Sequence, residues 1–340
     1  MYNYEFDSTF YYLNIAEIED SDNPLLPFLD ATTSWLSIQS NNGIELSYSD
    51  IRQSIKHNIP IYEKLIIKYP KNPEYLLYLG SLYGLEARIE LAYSHWFRAF
   101  ISTRKGNKYI KIAHDMDENL KDVYLPLGLI SYYTCISSPV IQFAAKISGI
   151  DFDCNKSIDY LELASNESYY SYIESSNILS YIYLYMEHDY ELALKKIEPL
   201  VSRFPNHPFF PFIEAECLIR LGKLDEYTIK RSNLKRFLNN ESYVVRTECL
   251  SKMNYLNALK SYYSNDFNES IRYNTLVIND YTMEFNWLLA LSYYNRALSY
   301  IEIAKIYDAK KDLNKVISID FKFPEKQQAQ KLLSQLSNVK

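Results

Sequence analysis

The sequence is short of glycine, which makes up only 7 of its 340 residues. Nucleotide-binding folds need glycine in their phosphate loops, and β-rich folds need it in their turns. The sequence also contains no HExxH, no GxSxG and no Gly-rich phosphate loop. We therefore predict a protein that is not an enzyme, with no catalytic residues and no bound metal or cofactor.

The sequence lacks an excess of positive charge, with a formal net charge of −6. Proteins that bind nucleic acid carry basic patches, so nucleic acid is excluded as the expected partner. Its four cysteines are far apart, and none forms a CxxC pair. This spacing indicates small buried side chains and no disulfide framework.

An export signal is also missing, because the N-terminal residues "MYNYEFDSTF" have neither a basic nor an apolar region. The default expectation is a cytoplasmic protein, and a signal lost upstream of Met1 is the alternative. The segment Val123–Ala145 has no charged residue and is long enough to span a bilayer. Pro126, Gly128 and Pro139 interrupt it. We predict a buried helix followed by a loop, and contact with a membrane surface stays open.

What the sequence does contain is helical periodicity. In "DYELALKKIEPLVSRFPNH", the side chains of Tyr190, Ala193, Ile197 and Leu200 form one apolar face, and Pro205 ends the helix. The preceding "NILSYIYLYMEHD" is a second apolar stretch that closes on a polar turn. The predicted unit is therefore a helix, a turn, a second helix and a stop.

This unit recurs. Ala215 lies 34 residues after Tyr181, and Gly222–Asp225 takes the place of the earlier turn. A period of 34 with this pattern is typical of tetratricopeptide repeats, and the sequence resembles that family. "NPEYLLYLGSLYG", "DVYLPLGLISYY" and "SYYNRALSYIEIAKIYDAKKDLNKVISID" extend the resemblance. The corresponding positions of the first helices are Ala31, Gly80, Gly128, Tyr181, Ala215, Ala258 and Ala297. Small residues there allow a close helix crossing, and Tyr181 departs from this pattern.

The resemblance implies an all-α fold, a right-handed α-solenoid or superhelix of about seven helix-turn-helix units. We expect a single array over residues 1–340. Its predicted parts are an unpaired N-terminal helix or cap (1–20), stretched repeats (21–172) with an insert at 137–153, more regular repeats (173–322) and a C-terminal capping helix (323–340). Leu332, Leu333 and Leu336 should face inward from that last helix.

The inner wall of such an array is built mainly from first helices and is the expected binding surface. Aromatic side chains give large contact areas at a low entropic cost. The helical faces place these candidates on the wall: Tyr132, Tyr133, Tyr185, Phe212, Tyr262, Tyr263 and Tyr294. Structural packing is the alternative role for the same rings.

Repeat proteins of this family that hold acidic chaperone tails resemble one another in a Lys/Asn array on this wall. The matching sites here are Leu77, Leu125, Ile178 and Phe212. Binding of acidic C-terminal peptides is therefore disfavoured.

A second candidate site is the cationic stretch Gly84–Asp117, which resembles a bacterial branch of the family and implies no activity. Its candidate residues for an anionic ligand or partner are Arg88, Trp96, Arg98, Arg104 and Lys105. In that role the cations would bind carboxylates and Trp96 would supply a stacking face. In the alternative, Glu86 and Glu90 pair with these cations inside the protein.

The sequence thus favours a non-catalytic scaffold that binds a protein or peptide partner. Two alternatives remain open. One is an adaptor that docks to an envelope complex or membrane through the apolar insert Ser137–Ile150. The other is an enzyme or anionic-ligand binder that uses the Arg88/Trp96/Arg104 cluster. The sequence leaves the identity of the partner and the oligomeric state open.

Overall fold

The computed structural model describes residues 1–320 and 322–338 and contains, within them, seventeen α-helices and no β-strand. The predicted all-α class is confirmed. The chain divides into two compact units, Met1–Leu179 (unit 1) and Ser180–Lys340 (unit 2). Within each unit a helix packs mainly on its neighbours along the chain, which is the arrangement of an α-solenoid. The number of repeats and the right-handed twist stay predictions.

Unit 1 is built from antiparallel helix pairs. Its helices are α1 (Phe6–Glu19), α2 (Leu26–Asn42), α3 (Ile44–Lys68), α4 (Glu74–Ala92), α5 (Trp96–Met116), α6 (Tyr124–Cys135), α7 (Pro139–Ile147), α8 (Cys154–Glu167) and most of α9 (Tyr172–Tyr181), with a 3₁₀ turn at Lys121–Val123. α2 pairs with α3, α4 with α5, and α6 with α8, so α7 is an insertion within the last pair.

Unit 2 continues the same pattern. After the end of α9 come a π-helical turn (Ile182–Glu187), α10 (Tyr190–Arg203), α11 (Phe210–Arg220), α12 (Leu224–Leu234), a 3₁₀ turn (Lys235–Asn239), α13 (Tyr243–Tyr263), α14 (Phe267–Asn279), α15 (Trp287–Glu302), α16 (Ile306–Ser318) and α17 (Glu325–Asn338). The first helices α11, α13 and α15 also contact one another and form a wall of the unit.

The C-terminal helix covers the end of unit 2. Leu332, Leu333 and Leu336 of α17 pack on a cluster that includes Ala297 and Val316. The inward orientation predicted for these leucines is confirmed. Residues 339–340 of the predicted capping segment lie outside the described residues.

Small residues lie where paired helices cross most closely. A Cβ atom added to Gly80 of α4 would lie 2.9 Å from the carbonyl oxygen of Gly106 in α5, and one added to Gly106 would lie 2.8 Å from that of Gly80. A Cβ atom on Gly128 of α6 would lie 2.8 Å from Leu161 of α8. The two helices of each pair can therefore approach this closely only if these positions lack a side chain.

The turns inside the pairs repeat as well. One residue in each of three turns lies seven positions after the small residue marked in the first helix, at Gly222, Asn265 and Ala304. These three residues have positive φ angles of 72°, 58° and 59°, respectively. The N–H group of the following residue donates to a carbonyl five residues earlier, over 2.8–2.9 Å, which is the Schellman closure.

The repeat that starts at Tyr181 differs. A bulky ring replaces the small residue, and the helix widens at once into the π-helical turn Ile182–Glu187. At its end, the N–H group of Asp189 donates to the carbonyl of Tyr183, six residues earlier and one more than in the other turns. His188 takes the left-handed position with a φ of 54°. The spacing of the turn from Tyr181 is nevertheless conserved at seven residues.

The expectation of no disulfide is wrong for the two cysteines that flank the insertion in unit 1. Cys135 and Cys154 form a disulfide, while Cys217 and Cys249 are free and buried, as predicted for all four. The bridge links the end of α6 to the start of α8 and encloses α7. A 19-residue separation gives no sign of it, because only the folded α7 segment brings the two Cα atoms to 5.6 Å.

The uncharged segment Val123–Ala145 is divided between α6 and α7 by a turn. In the described part of the chain, no helix combines the length and the apolarity that crossing a membrane requires.

The glycine crossing yields a first prediction. We expect Gly106→Ala to lower the free energy of unfolding by about 1–3 kcal/mol, because the added Cβ overlaps the backbone of α4. The control is Gly84→Ala in α4, where a Cβ would meet nothing within 4 Å. It should leave the protein unchanged or stabilise it by up to about 1 kcal/mol through helix propensity. Urea unfolding of both variants measures the difference, and equal effects would contradict the close crossing.

Candidate functional site

A pocket in unit 2 brings together tyrosines from two first helices. It is a cavity of about 60 Å³ lined by Arg220 from α11, Tyr255, Leu259, Tyr262 and Tyr263 from α13, Leu291, Tyr294, Asn295 and Leu298 from α15, and Glu325 at the start of α17. We call it the tyrosine pocket. Tyr263 is 43% exposed, so the pocket reaches the protein surface.

A buried ion pair supports one side of the pocket. Arg220 donates from Nε to Oε1 of Glu216 over 2.9 Å, and Nη2 lies 2.9 Å from the same oxygen. Arg220 also donates to the Tyr255 hydroxyl over 3.2 Å, and the Tyr185 hydroxyl donates to Oε2 of Glu216 over 2.6 Å. This network fixes both tyrosine hydroxyls, since every bond in it involves a charged group.

The electrostatics of the network keep Arg220 charged. Burial alone would lower the pKa of Arg220, but Tyr255 and Glu216 raise it above its ordinary value. The pKa values of Tyr185 and Tyr255 are raised by burial and by the charge of Glu216, so both hydroxyls remain protonated donors or acceptors at neutral pH. The Arg220 guanidinium also lies 5.5 Å from the centre of the Tyr190 ring.

Two polar side chains in the tyrosine pocket are buried and incompletely bonded. Glu325 is 4% exposed and Asn295 is 5% exposed. Among the described residues, neither Oε2 of Glu325 nor Nδ2 of Asn295 has a hydrogen-bond partner. Burial and the Glu325 charge raise the pKa of Tyr294 to about 12, and its hydroxyl donates to Oε1 of Gln328 over 2.7 Å.

Three of the predicted wall residues, Tyr262, Tyr263 and Tyr294, meet in this pocket. Tyr185 and Phe212 are buried and line an adjoining cavity of about 20 Å³, which is large enough for one water. In unit 1, Tyr132 is buried, whereas the neighbouring Tyr133 is exposed. The buried rings serve packing, and the partner-binding role stays a prediction for the accessible ones.

The cationic residues of unit 1 have separate neighbours. The Arg88 guanidinium lies 4.6 Å from the centre of the Trp35 ring and donates to the Tyr48 hydroxyl over 3.3 Å, and burial lowers its pKa to about 10. Trp96 is the exposed first residue of α5, Lys105 lies over the Tyr83 ring, and Arg104 is exposed.

Glu90 is the carboxylate nearest to several other basic side chains of this region. Its carboxylate binds Arg52 at 2.8 Å and His95 at 2.7 Å, and it lies 4.0 Å from Arg98. Of the candidate cations, Arg98 approaches this carboxylate, whereas Glu86 accepts a hydrogen bond from the Ser102 hydroxyl over 2.7 Å. The intramolecular pairing and an anionic ligand there both stay predictions.

Sequence reasoning missed Arg220, Glu216 and Glu325. One signal was available for the first two: in "FPFIEAECLIR", Glu216 and Arg220 stand four residues apart on a helix whose other charged residue is Glu214. No comparable signal marks Glu325, because its burial depends on how α17 docks.

The N-terminus of α11, which carries this ion pair, is capped by His207. Nδ1 of His207 accepts from the N–H groups of Phe209 and Phe210, both over 3.2 Å, and the imidazole stacks on the Phe210 ring. Burial and the nearby charge of Lys252 lower the pKa of His207 to about 3. The imidazole is therefore neutral in the folded protein over the physiological range.

No protein-family model matches the chain, and no curated protein matches it. Among solved structures, it is similar to the crystal structure of the yeast Tom70, with a TM-score of 0.43 and 14% sequence identity. The match covers 92% of this chain and 63% of the length of that structure.

The cap yields a prediction about pH. Because the pKa of His207 is depressed from 6.5 to about 3, the unfolded chain binds more protons than the folded one below pH 6.5. Stability is therefore lost as the pH falls, by about 2 kcal/mol from this residue between pH 7 and pH 5. We expect His207→Asn, which keeps a cap acceptor, to reduce this loss in urea unfolding. His57→Asn, at an exposed histidine, is the control and should leave the loss unchanged.

Proposed function

We propose that this protein is a non-catalytic scaffold that binds a protein or peptide partner through the tyrosine pocket. The observation that carries the proposal is the meeting of Tyr262, Tyr263 and Tyr294 at a surface-reaching cavity. Accessible tyrosines offer an apolar face and a hydroxyl, which is the combination enriched at protein interfaces.

The construction of the pocket supports this function. The Arg220–Glu216 pair and the Tyr255 hydroxyl are bonded to one another beneath the accessible rings. Side chains held in this way lose little entropy when a partner binds, so more of the contact energy appears as affinity. The wall of first helices supplies a backbone that does not need to rearrange.

A crosslinking experiment tests the proposal. We expect a photoreactive phenylalanine at position 263 to give a discrete adduct with a protein partner in cells. The control is the same replacement at Tyr243, which is exposed in the same helix but does not line the pocket. The adduct at 263 should disappear when Tyr262 and Tyr294 are changed to serine. Equal adducts at both positions, or none at 263, would contradict the proposal.

A second candidate function is docking to a lipid surface through α7. Val140, Phe143 and Ile147 recur at helical spacing on this helix, and all three are largely exposed. The disulfide between Cys135 and Cys154 closes the chain on both sides of the helix. An apolar face held in this way fits an interfacial helix that dips into the headgroup region.

Liposome flotation tests this candidate. We expect the full chain to float with phospholipid vesicles and the variant Val140→Ser/Phe143→Ser to remain in the dense fraction, because two apolar anchors are removed. Phe97→Ser is the control, since Phe97 is equally exposed in unit 1 but lies on α5. A wild-type protein that stays in the dense fraction would exclude the lipid surface.

A further inference from the structure

The first residues of the chain bind to the last helix of unit 1. Residues 1–5 form turns before α1, and the hydroxyl of Tyr2 donates to Oε1 of Glu174 in α9 over 2.9 Å. Burial and the charge of Glu174 raise the pKa of Tyr2, so its hydroxyl is protonated and acts as a donor at neutral pH. This contact joins two residues that are 172 positions apart in the sequence.

Helices α4, α6 and α9 place interacting side chains near this contact. Arg88 of α4 interacts electrostatically with Tyr133 of α6 and with Glu174 of α9. Tyr133 is 59% exposed, and yet burial raises its pKa. A side chain that is surrounded by protein and still open to solvent lies in a concave surface. We call this surface, marked by Arg88, Tyr133 and Glu174, the unit 1 groove.

The helix that carries residues 1–5 is superficial. None of the 14 described residues of α1 is fully buried, and Tyr11 and Tyr12 are 62% and 68% exposed. Tyr4 has a φ of 60°, which is an unfavourable conformation for a residue with a side chain. Segments that bury little apolar surface open at a low cost in free energy. Residues 1–5 and α1 can therefore leave the groove while the rest of unit 1 stays folded.

The contact made by Tyr2 shows which group the unit 1 groove accepts. Burial raises the pKa of Glu174, and hydrogen bonds from Tyr2 and Asn177 and the charge of Arg88 act in the opposite direction. A carboxylate in such a place is costly without donors, so a segment that replaces residues 1–5 has to supply one. A tyrosine supplies the donor on a ring that fits the place of Tyr2.

We propose that the unit 1 groove is a binding site for a tyrosine-containing peptide segment of a protein partner, and that residues 1–5 occupy it as a competitor within the same chain. The site is distinct from the tyrosine pocket, which lies in unit 2. A tethered segment competes at an effective concentration in the millimolar range. The affinity for the partner is reduced by the fraction of molecules in which the groove is closed.

Hydrogen exchange of the full chain tests whether the Tyr2 contact holds the segment. We expect Tyr2→Phe, which keeps the ring and removes the donor, to speed amide exchange in α1 several-fold or more. The control is Tyr12→Phe, which removes an exposed hydroxyl from α1 and should leave the exchange unchanged.

A synthetic peptide tests binding to the open groove. The probe is MYNYEF, the sequence of residues 1–6, with a fluorophore at its C-terminal end, and the readout is fluorescence anisotropy. We expect the full chain with Tyr2→Ala to bind the probe saturably and at least about tenfold more tightly than the wild type, because its own segment competes poorly. The peptide MFNYEF should bind several-fold more weakly than MYNYEF, because it has no donor for Glu174.

A second change in the Tyr2→Ala chain locates the probe. Glu174→Gln should weaken binding of MYNYEF roughly tenfold, since it removes the charged acceptor. Glu167→Gln, at an exposed position at the end of α8, is the control and should change binding by less than about twofold. If Glu174→Gln unfolds the protein, the comparison of the two peptides decides, because it leaves the groove unaltered.

Three outcomes would overturn the proposal: no saturable binding to the Tyr2→Ala chain, equal binding of the two peptides, or equal binding to the wild type and the Tyr2→Ala chain. Faster exchange in Tyr2→Phe without peptide binding would leave the Tyr2 contact as a structural clasp and reject the binding site. A wild-type dimer that Tyr2→Ala dissociates in sedimentation would assign the groove to a second copy of the chain and reject a separate partner.

Discussion

The architecture depends on how closely two paired helices approach each other. Between α4 and α5 the backbones come so near that a Cβ on Gly80 would lie 2.9 Å from the carbonyl oxygen of Gly106. Ala215, Ala258 and Ala297 are fully buried at the corresponding positions of unit 2. Close pairs present continuous apolar faces to the next pair, and stacking of those faces supplies most of the stability in repeat proteins.

Because the helices of unit 2 pack this closely, charged side chains buried in the wall of the unit need an explanation. Residues 210–219 of α11 are all buried, and yet the helix carries Glu214 and Glu216 and ends at Arg220. Taking an ion pair out of water costs free energy that the attraction between its members only partly returns. Here the pair is surrounded by tyrosine hydroxyls that complete its hydrogen bonds. The buried pair costs some stability, and its hydrogen bonds hold the tyrosines in fixed positions beside a cavity.

Much of the fold could be predicted because helical repeats are local. The period of 34 between Tyr181 and Ala215, and the turn that begins at Gly222, depend on residues close together in sequence. The inward face of α17 follows from the spacing of its leucines.

The site could be predicted only in part, since it depends on contacts between distant residues. Tyr262, Tyr263 and Tyr294 were identifiable from helical faces, and they meet in one pocket. Helical faces alone did not separate them from Tyr185 and Phe212, which are covered by neighbouring helices. Glu325 lines the pocket from a helix about 30 residues beyond Tyr294, so no local sequence pattern indicates its position there.

The disulfide between Cys135 and Cys154 makes one part of this structure sensitive to the redox conditions around the protein. Such bonds persist where thiols are oxidised, and cellular reductants remove them elsewhere. Cys154 is exposed, so a reductant can reach the bond directly. In a reducing milieu α7 would lose this covalent tether and would be held by its non-covalent contacts, among them the packing of the buried Ala145. The oxidation state of one bond therefore contributes to how firmly the protein holds α7 and its exposed apolar side chains.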